Sequence, residues 1–167
     1  EGLEKAIGPR TRMLILNSPH NPSGTILSPE DLQRLEQLLA PTGILVLSDE
    51  AYEHLVFDGQ LHQSFCRFPG LKERSFICAS FGKTFHVTGW KLGYCMAPEP
   101  LMAEFRKLHE YIVFSVNHPA QRALCRYMED PQRYLNLGAF FQEKRDAFLQ
   151  ALEGSRFRFR PSAGTYF

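Results

Sequence analysis

Ser80, Lys83 and Lys91 fall within residues 80–94, set among glycines at 82, 89 and 93. A hydroxyl and two amines placed among small residues suit a site that holds an anion and also needs a reactive amine, because lysine is a compact charge whose pKa shifts readily on burial. To form a Schiff base, such an amine must lose its proton near neutral pH, whereas a free lysine titrates near about 10.4. Partial burial and a second cation both lower that value, and Lys91 is the second cation for Lys83. Solvated turn lysines are the plain alternative. Asp49 is likewise open to two readings. It is either a helix N-cap, or a carboxylate that holds a protonated ring nitrogen through a charge-assisted bond worth about 1.5–3 kcal/mol in a dry site. Tyr52 is either a core residue or a phenol offered to the same region, and Asn21 either satisfies turn backbone or faces a ligand.

The elements that must position these residues can be read from apolar runs. Residues 12–16, 44–47 and 75–79 are continuous and of strand length, the pattern of strands covered on both faces. Each ends in a polar cluster: residues 17–21, 49–52 and 80–83. Residues 17–24 contain Pro19 and Pro22 and form a stiff loop. Ser28, Pro29 and Asp31 start a helix with a capping-box pattern, and Leu32, Leu35, Leu38 and Leu39 bury one face of it. Strand–helix–strand alternation predicts a largely parallel sheet with all three polar clusters along one edge. Residues 92–97 follow after only a turn, too short for a parallel crossover, so they are expected to run antiparallel.

Residues 1–7 read as a short amphipathic helical piece and residues 58–71 as a loop. Leu101, Met102, Phe105, Leu108 and Ile112 mark a helix. A second begins near residues 117–119 and buries Ala120, Ala123, Leu124, Tyr127 and Met128. A third, long helix runs from Asp130 to about Glu153 and stops at Gly154. Residues 156–160 alternate Arg and Phe and predict a half-buried antiparallel strand, with Phe inward. The fold class is therefore α/β, mainly parallel with one antiparallel strand. Residues 1–130 form the larger domain and residues 131–167 the long helix and start of a smaller one.

Composition narrows the class. The chain has 167 residues, 44% hydrophobic and 13% aromatic, enough for a packed core. A formal charge of +1 gives no footprint for nucleic acid or an acidic membrane surface. The four cysteines lack CxxC spacing and fit a reduced, cytoplasmic setting. Within these residues no stretch has the pattern of a signal peptide, a transit segment or a membrane-spanning run, which says nothing of what precedes Glu1. The chain opens on Glu1 rather than methionine and closes on apolar residues, so continuation at both ends is expected. His54, His86 and His109 read as structural or solvent-facing, and no His, Cys and carboxylate spacing suggests a metal site. Ser80 and Lys83 also form a literal S-x-x-K, the nucleophile signature of serine acyl-enzymes. Against it, Ser48-Asp49-Glu50 precedes the pair and departs from S-D-N, Lys83-Thr84 runs into Phe85 instead of glycine, and Gly82 argues against a helix there.

Taken together, the loop of residues 17–24, Ser48-Asp49-Glu50-Ala51-Tyr52, Ser80-Phe81-Gly82-Lys83-Thr84 and Gly89-Trp90-Lys91-Leu92-Gly93 resemble the class I and II aminotransferases. These are the fold type I enzymes that use pyridoxal 5′-phosphate. The resemblance covers essentially the whole chain. It is strongest toward the methionine and kynurenine/glutamine branch, through residues 82–91 and Phe114-Ser115-Val116-Asn117. It implies that Lys83 forms the Schiff base and then moves the substrate proton. Asp49 would pair with the pyridine nitrogen, Asn21 and Tyr52 would bond the ring oxygen, and Ser80 and Lys91 would hold the phosphate. Lys91 stands where many members have arginine, which keeps the charge but loses the bidentate fork.

The implied activity is transfer of an amino group from methionine, an aromatic or a glutamine-like amino acid to a 2-oxo acid. The resemblance also implies a homodimer, with Phe114 and Ser115 reaching the neighbouring subunit's pocket. A cysteine-conjugate β-lyase on the same residues is one alternative and a non-catalytic binding module another. The family's glycine-rich phosphate loop and stacking aromatic would precede Glu1, and its carboxylate-clamping arginine would follow Phe167. Activity is thus expected of the full-length protein, with this stretch alone nearly inactive.

Overall fold

A computed structural model describes residues 2–165. At its centre is a four-stranded sheet of β1 (Met13–Asn17), β2 (Leu45–Asp49), β3 (Ser75–Ser80) and β4 (Gly93–Met96), in that spatial order. The first three are parallel, and β4 runs antiparallel to β3 as the short connection requires. Asn17 pairs with Asp49, Asp49 with Cys78, and Ser80 with Gly93, so the strand ends carrying the polar clusters are neighbours.

After the short α1 (Gly2–Ala6), α2 (Pro29–Leu39) makes the crossover from β1 to β2. Its capping box is complete: Ser28 Oγ accepts from the Asp31 N–H at 3.1 Å, and Asp31 Oδ2 accepts from the Ser28 N–H at 3.1 Å. Leu32, Leu35 and Leu39 are buried against Ile44, Val46, Phe65, Leu71 and Ile77, the main core on one face of the sheet. Each such side chain contributes about 1.5–3 kcal/mol by leaving water. A smaller core joins Tyr52 and Leu55 to Leu137.

Several expectations need correction. Residues 58–71 are not all loop: Phe65–Arg67 is a 3₁₀ turn and α3 (Pro69–Lys72) a helical turn, because Phe65, Phe68 and Leu71 recur at three-residue spacing and all reach the core. Among the described residues β1 stands at the edge of the sheet, and Met13 and Ile15 lie exposed on the face opposite α2. Lys83 lies in α4 (Phe81–Thr84), a one-turn helix that includes Gly82. Glycine fits there because a Cβ would lie 2.9 Å from Thr88 Cα.

Beyond β4, α5 (Glu99–Ile112) and α6 (His118–Met128) form as expected, the latter capped by Asn117 Oδ1 accepting from the Ala120 N–H at 3.0 Å. Of the five residues expected to be buried on α6, Leu124 is buried, Ala120 and Met128 are half-buried, and Ala123 and Tyr127 are exposed. The single long helix is instead α7 (Gln132–Leu135) and α8 (Leu137–Ala151), broken at Asn136. The break lets α8 dock: Leu137 enters the small core, and Gly138 sits so close that a Cβ would meet Val56 O at 2.8 Å. Residues 156–160 are not a strand, and Phe157 is 74% exposed. Alternation prepares a strand, but no strand among the described residues pairs with it.

Candidate functional site

The loop after β1 is set by Asn17. Its Oδ1 accepts from the Asn21 N–H at 3.1 Å, while its Nδ2 donates to Asp49 O at 3.0 Å. One side chain thus ties the first polar cluster to the second. Asn21 Nδ2 then donates to the Tyr52 phenol oxygen at 2.8 Å. Tyr52 is buried, and the Lys83 Nζ stands 5.7 Å from its ring centroid. Three candidates from three separate strand ends therefore meet: Asn21, Tyr52 and Lys83.

Asp49 ends β2, and its Oδ1 accepts from the Ala51 N–H at 3.1 Å, closing a turn and not capping a helix. By register and alternation Asp49, Cys78 and Ser80 lie on one face of the sheet. Ser80 Oγ accepts from the Gly82 N–H at 3.2 Å at the start of α4. Lys91 is exposed in the left-handed conformation, φ 55°, immediately before Leu92 and Gly93. It stands at the same edge as Ser80, since Gly93 is Ser80's partner across the sheet. His54 packs edge-on to Tyr134, His109 stacks on Phe105, and His86 lies exposed.

Further side chains, which no sequence motif marks, brace these groups. Glu50 is 2% exposed, and its carboxylate accepts from Ser48 Oγ at 2.9 Å and the Phe65 N–H at 3.0 Å, with His62 Nε2 at 2.7 Å. Burial alone would raise its pKa, but the His62 contact and the Phe65 and Ser64 hydrogen bonds outweigh that and hold it below the ordinary carboxylate value. Alternation of Val46, Ser48 and Glu50 places Glu50 on the core face, a signal legible in the strand pattern. His62, in an irregular loop, carries no such signal. Glu53 accepts from the Tyr94 phenol at 2.8 Å, joining the turn after β2 to β4. Burial, followed by Glu53, pushes the Tyr94 pKa up. Burial and the facing Cys95 thiol push Cys78 up to about 12, so it remains a thiol.

The arrangement offers an amine, a carboxylate and a phenol–amide pair at the carboxyl ends of parallel strands, with a hydroxyl and a second amine alongside. Open α/β sheets bind ligands at such an edge. The family model described as aminotransferase class I and II matches residues 1–167. A methionine aminotransferase of Escherichia coli is 50% identical over 95% of this chain and 41% of its own length. A kynurenine–oxoglutarate transaminase of Dictyostelium discoideum is 38% identical over 100% of this chain and 40% of its own. A solved Escherichia coli structure, whose title assigns a methionine aminotransferase function, superposes with TM-score 0.95 at 48% identity, covering 99% of this chain and 44% of that one. This chain therefore spans about 40% of the length of the curated relatives it matches.

Proposed function

Because the chain belongs to the class I and II aminotransferase family, whose members use pyridoxal 5′-phosphate, we propose that the whole protein transfers an amino group from an amino acid to a 2-oxo acid at this sheet edge. One observation carries the reading: Asn21 bonds the Tyr52 phenol at 2.8 Å while the Lys83 amine stands over the same ring at 5.7 Å. The donor set fits the cofactor's chemistry. An amine matches its aldehyde, a carboxylate its ring nitrogen, an amide and a phenol its ring oxygen, and a hydroxyl with a second amine its phosphate. Gly82 keeps the phosphate end uncrowded, since a Cβ there would lie 3.2 Å from Ser80 Oγ.

Bound there, pyridoxal phosphate supplies a sink for the electron pair left when the substrate α-carbon gives up its proton. Asp49 holds the proton on the ring nitrogen that makes this sink effective. Asn21 and Tyr52 orient the ring and stabilise its oxygen. Ser80 and Lys91 bind and neutralise the phosphate. Lys83 would hold the aldehyde end of the cofactor, and its amine, when free, would serve as the general base that takes the proton from the substrate α-carbon.

Residues 1–130 serve as part of the cofactor-holding domain, with residues 131–167 beginning a smaller one. Methionine is the first donor to test, because a relative at 50% identity is named for it; aromatic and glutamine-like donors follow. The protein works as a cytoplasmic homodimer. Leu108, Tyr111, Ile112 and Phe114, 64–88% exposed at the end of α5 and just after it, support association. Incubated with pyridoxal phosphate, methionine and a 2-oxo acid acceptor, the whole protein should release the 2-oxo acid of methionine with ping-pong kinetics. A donor panel in which methionine, aromatic and glutamine-like amino acids all give no oxo acid contradicts the reading.

A further inference from the structure

Behind the Asn21–Tyr52 pair, three stretches of chain are laced together through their backbones. Ala163 and Gly164 N–H groups donate to Gly24 O at 2.8 and 3.1 Å, Phe57 N–H to Ala163 O at 2.9 Å, and Thr165 N–H to Leu55 O at 2.9 Å. Residues 162–165 thus strap the loop that carries Asn21 to the segment that carries Tyr52. The fit is close. A Cβ on Gly24 would lie 2.3 Å from Ser162 Cβ, and one on Gly164 would lie 2.6 Å from Leu55 O.

What holds the strap is Arg145 of α8. The residue is 5% exposed, and its guanidinium grips Asp58 bidentately, Nη1 to Oδ2 at 2.7 Å and Nη2 to Oδ1 at 2.6 Å. Nη1 also donates to Ser162 O at 2.8 Å, Nε donates to Asp146 Oδ1 at 2.8 Å, and Cζ lies 5.0 Å from the Phe57 ring centroid. The two carboxylates that flank this one positive charge are both about half exposed, so water and salt screen the cluster and its influence on the site travels through geometry. Ser162 Oγ, in contrast, is buried without a hydrogen-bond partner among the described residues. That desolvated hydroxyl favours release of the strap, and the Arg145 fork opposes it.

We propose that Arg145 is a positioning residue: it touches none of the site residues, but by clamping Asp58 and the Ser162 carbonyl it fixes how Asn21 meets Tyr52. This rests on the reading above, in which those two residues stabilise the cofactor's ring oxygen. Bidentate geometry is what the role demands, so lysine should serve only partly.

The test compares Arg145→Gln, Arg145→Lys and Asp58→Asn in the whole protein. Without cofactor, hydrogen exchange at residues 20–24, 55–57 and 163–165 should quicken at least about tenfold in Arg145→Gln, with β2 and β3 unchanged. With pyridoxal phosphate bound, the pH midpoint of its visible absorbance should move upward, since misplaced donors stabilise the anionic ring oxygen less. Arg145→Lys should fall between wild type and Arg145→Gln. In a Tyr52→Phe background the Arg145→Gln shift should shrink, because the effect passes through Tyr52. Should Arg145→Gln fail to fold, Asp58→Asn removes the same fork from its exposed end and carries both readouts. Unchanged exchange in the folded variants overturns the clamp. Faster exchange with an unmoved midpoint, while Tyr52→Phe alone moves it, overturns the positioning role. If Tyr52→Phe alone leaves the midpoint in place, the ring-oxygen reading of Tyr52 has failed, and the positioning role falls with it.

Discussion

Asp49 combines a backbone role with a proposed chemical one on a single carboxylate. By accepting from the Ala51 N–H at 3.1 Å it shapes the turn that delivers Tyr52, so its orientation is set by the fold itself. Asparagine can make the same turn bond but cannot hold a proton on a ring nitrogen. Asp49→Asn and Asp49→Ala should therefore both lower turnover, by at least about 10- to 100-fold from the lost charge-assisted bond of about 1.5–3 kcal/mol. Asn should melt within a degree or two of wild type and Ala somewhat lower. Near-normal turnover in either variant would remove Asp49 from the mechanism. Glu50, next in sequence, faces the core and is held below its ordinary pKa by His62 and its other donors, against the opposing effect of burial. A depressed folded pKa means the carboxylate adds stability above its unfolded value, near 4.5, and loses it as pH falls through the lower folded value. Glu50→Gln should cost about 1.5–3 kcal/mol at pH 7, and the deficit should shrink below about pH 4.5 as the wild type protonates. Chemical denaturation at both pH values measures it, and a deficit that grows on acidification would contradict the pairing.

At the scale of elements, the strand ends were legible because each apolar run stops on polar residues at the point where a parallel strand leaves the sheet. Asn17, Asp49 and Ser80 lie where that pattern puts them. The antiparallel direction of β4 was equally legible, since a turn cannot make a parallel crossover. A consequence can be tested at Gly93, where a Cβ would lie 2.5 Å from Ala79 O. Gly93→Ala should push β4 off β3 beside Ser80 and cost at least about 1–3 kcal/mol, with weaker cofactor retention. Unaltered stability would mean the two strands are less tightly apposed than described. Two element readings failed for one physical reason. The Arg-Phe alternation of residues 156–160 and the apolar face of α6 specify what each segment can bury, but local pattern does not say which partner covers it. The break at Asn136 is similar, being set by docking of Leu137 and Gly138 onto the segment after β2.

For the whole molecule, the side-chain contacts that brace the site join residues distant in sequence. Arg145 and Asp58 are 87 residues apart, and Tyr94 and Glu53 are 41 apart. Neither pair has a spacing or motif that marks it, whereas Lys83 and Asp49 stand in motifs whose chemistry can be recognised residue by residue. The sequence thus pointed to candidate reactive groups, which the structure brings to one sheet edge, while among the supports only Glu50 carried a signal, through strand alternation. The central claim is that Lys83, and not Lys91, is the amine that binds the cofactor aldehyde. Whole protein should be incubated with pyridoxal phosphate, reduced with borohydride, digested and analysed by mass spectrometry. The account predicts one phosphopyridoxyl label on the peptide containing Lys83, lost in Lys83→Ala and kept in Lys91→Ala. A label confined to another lysine, or retained in full by Lys83→Ala, would contradict it.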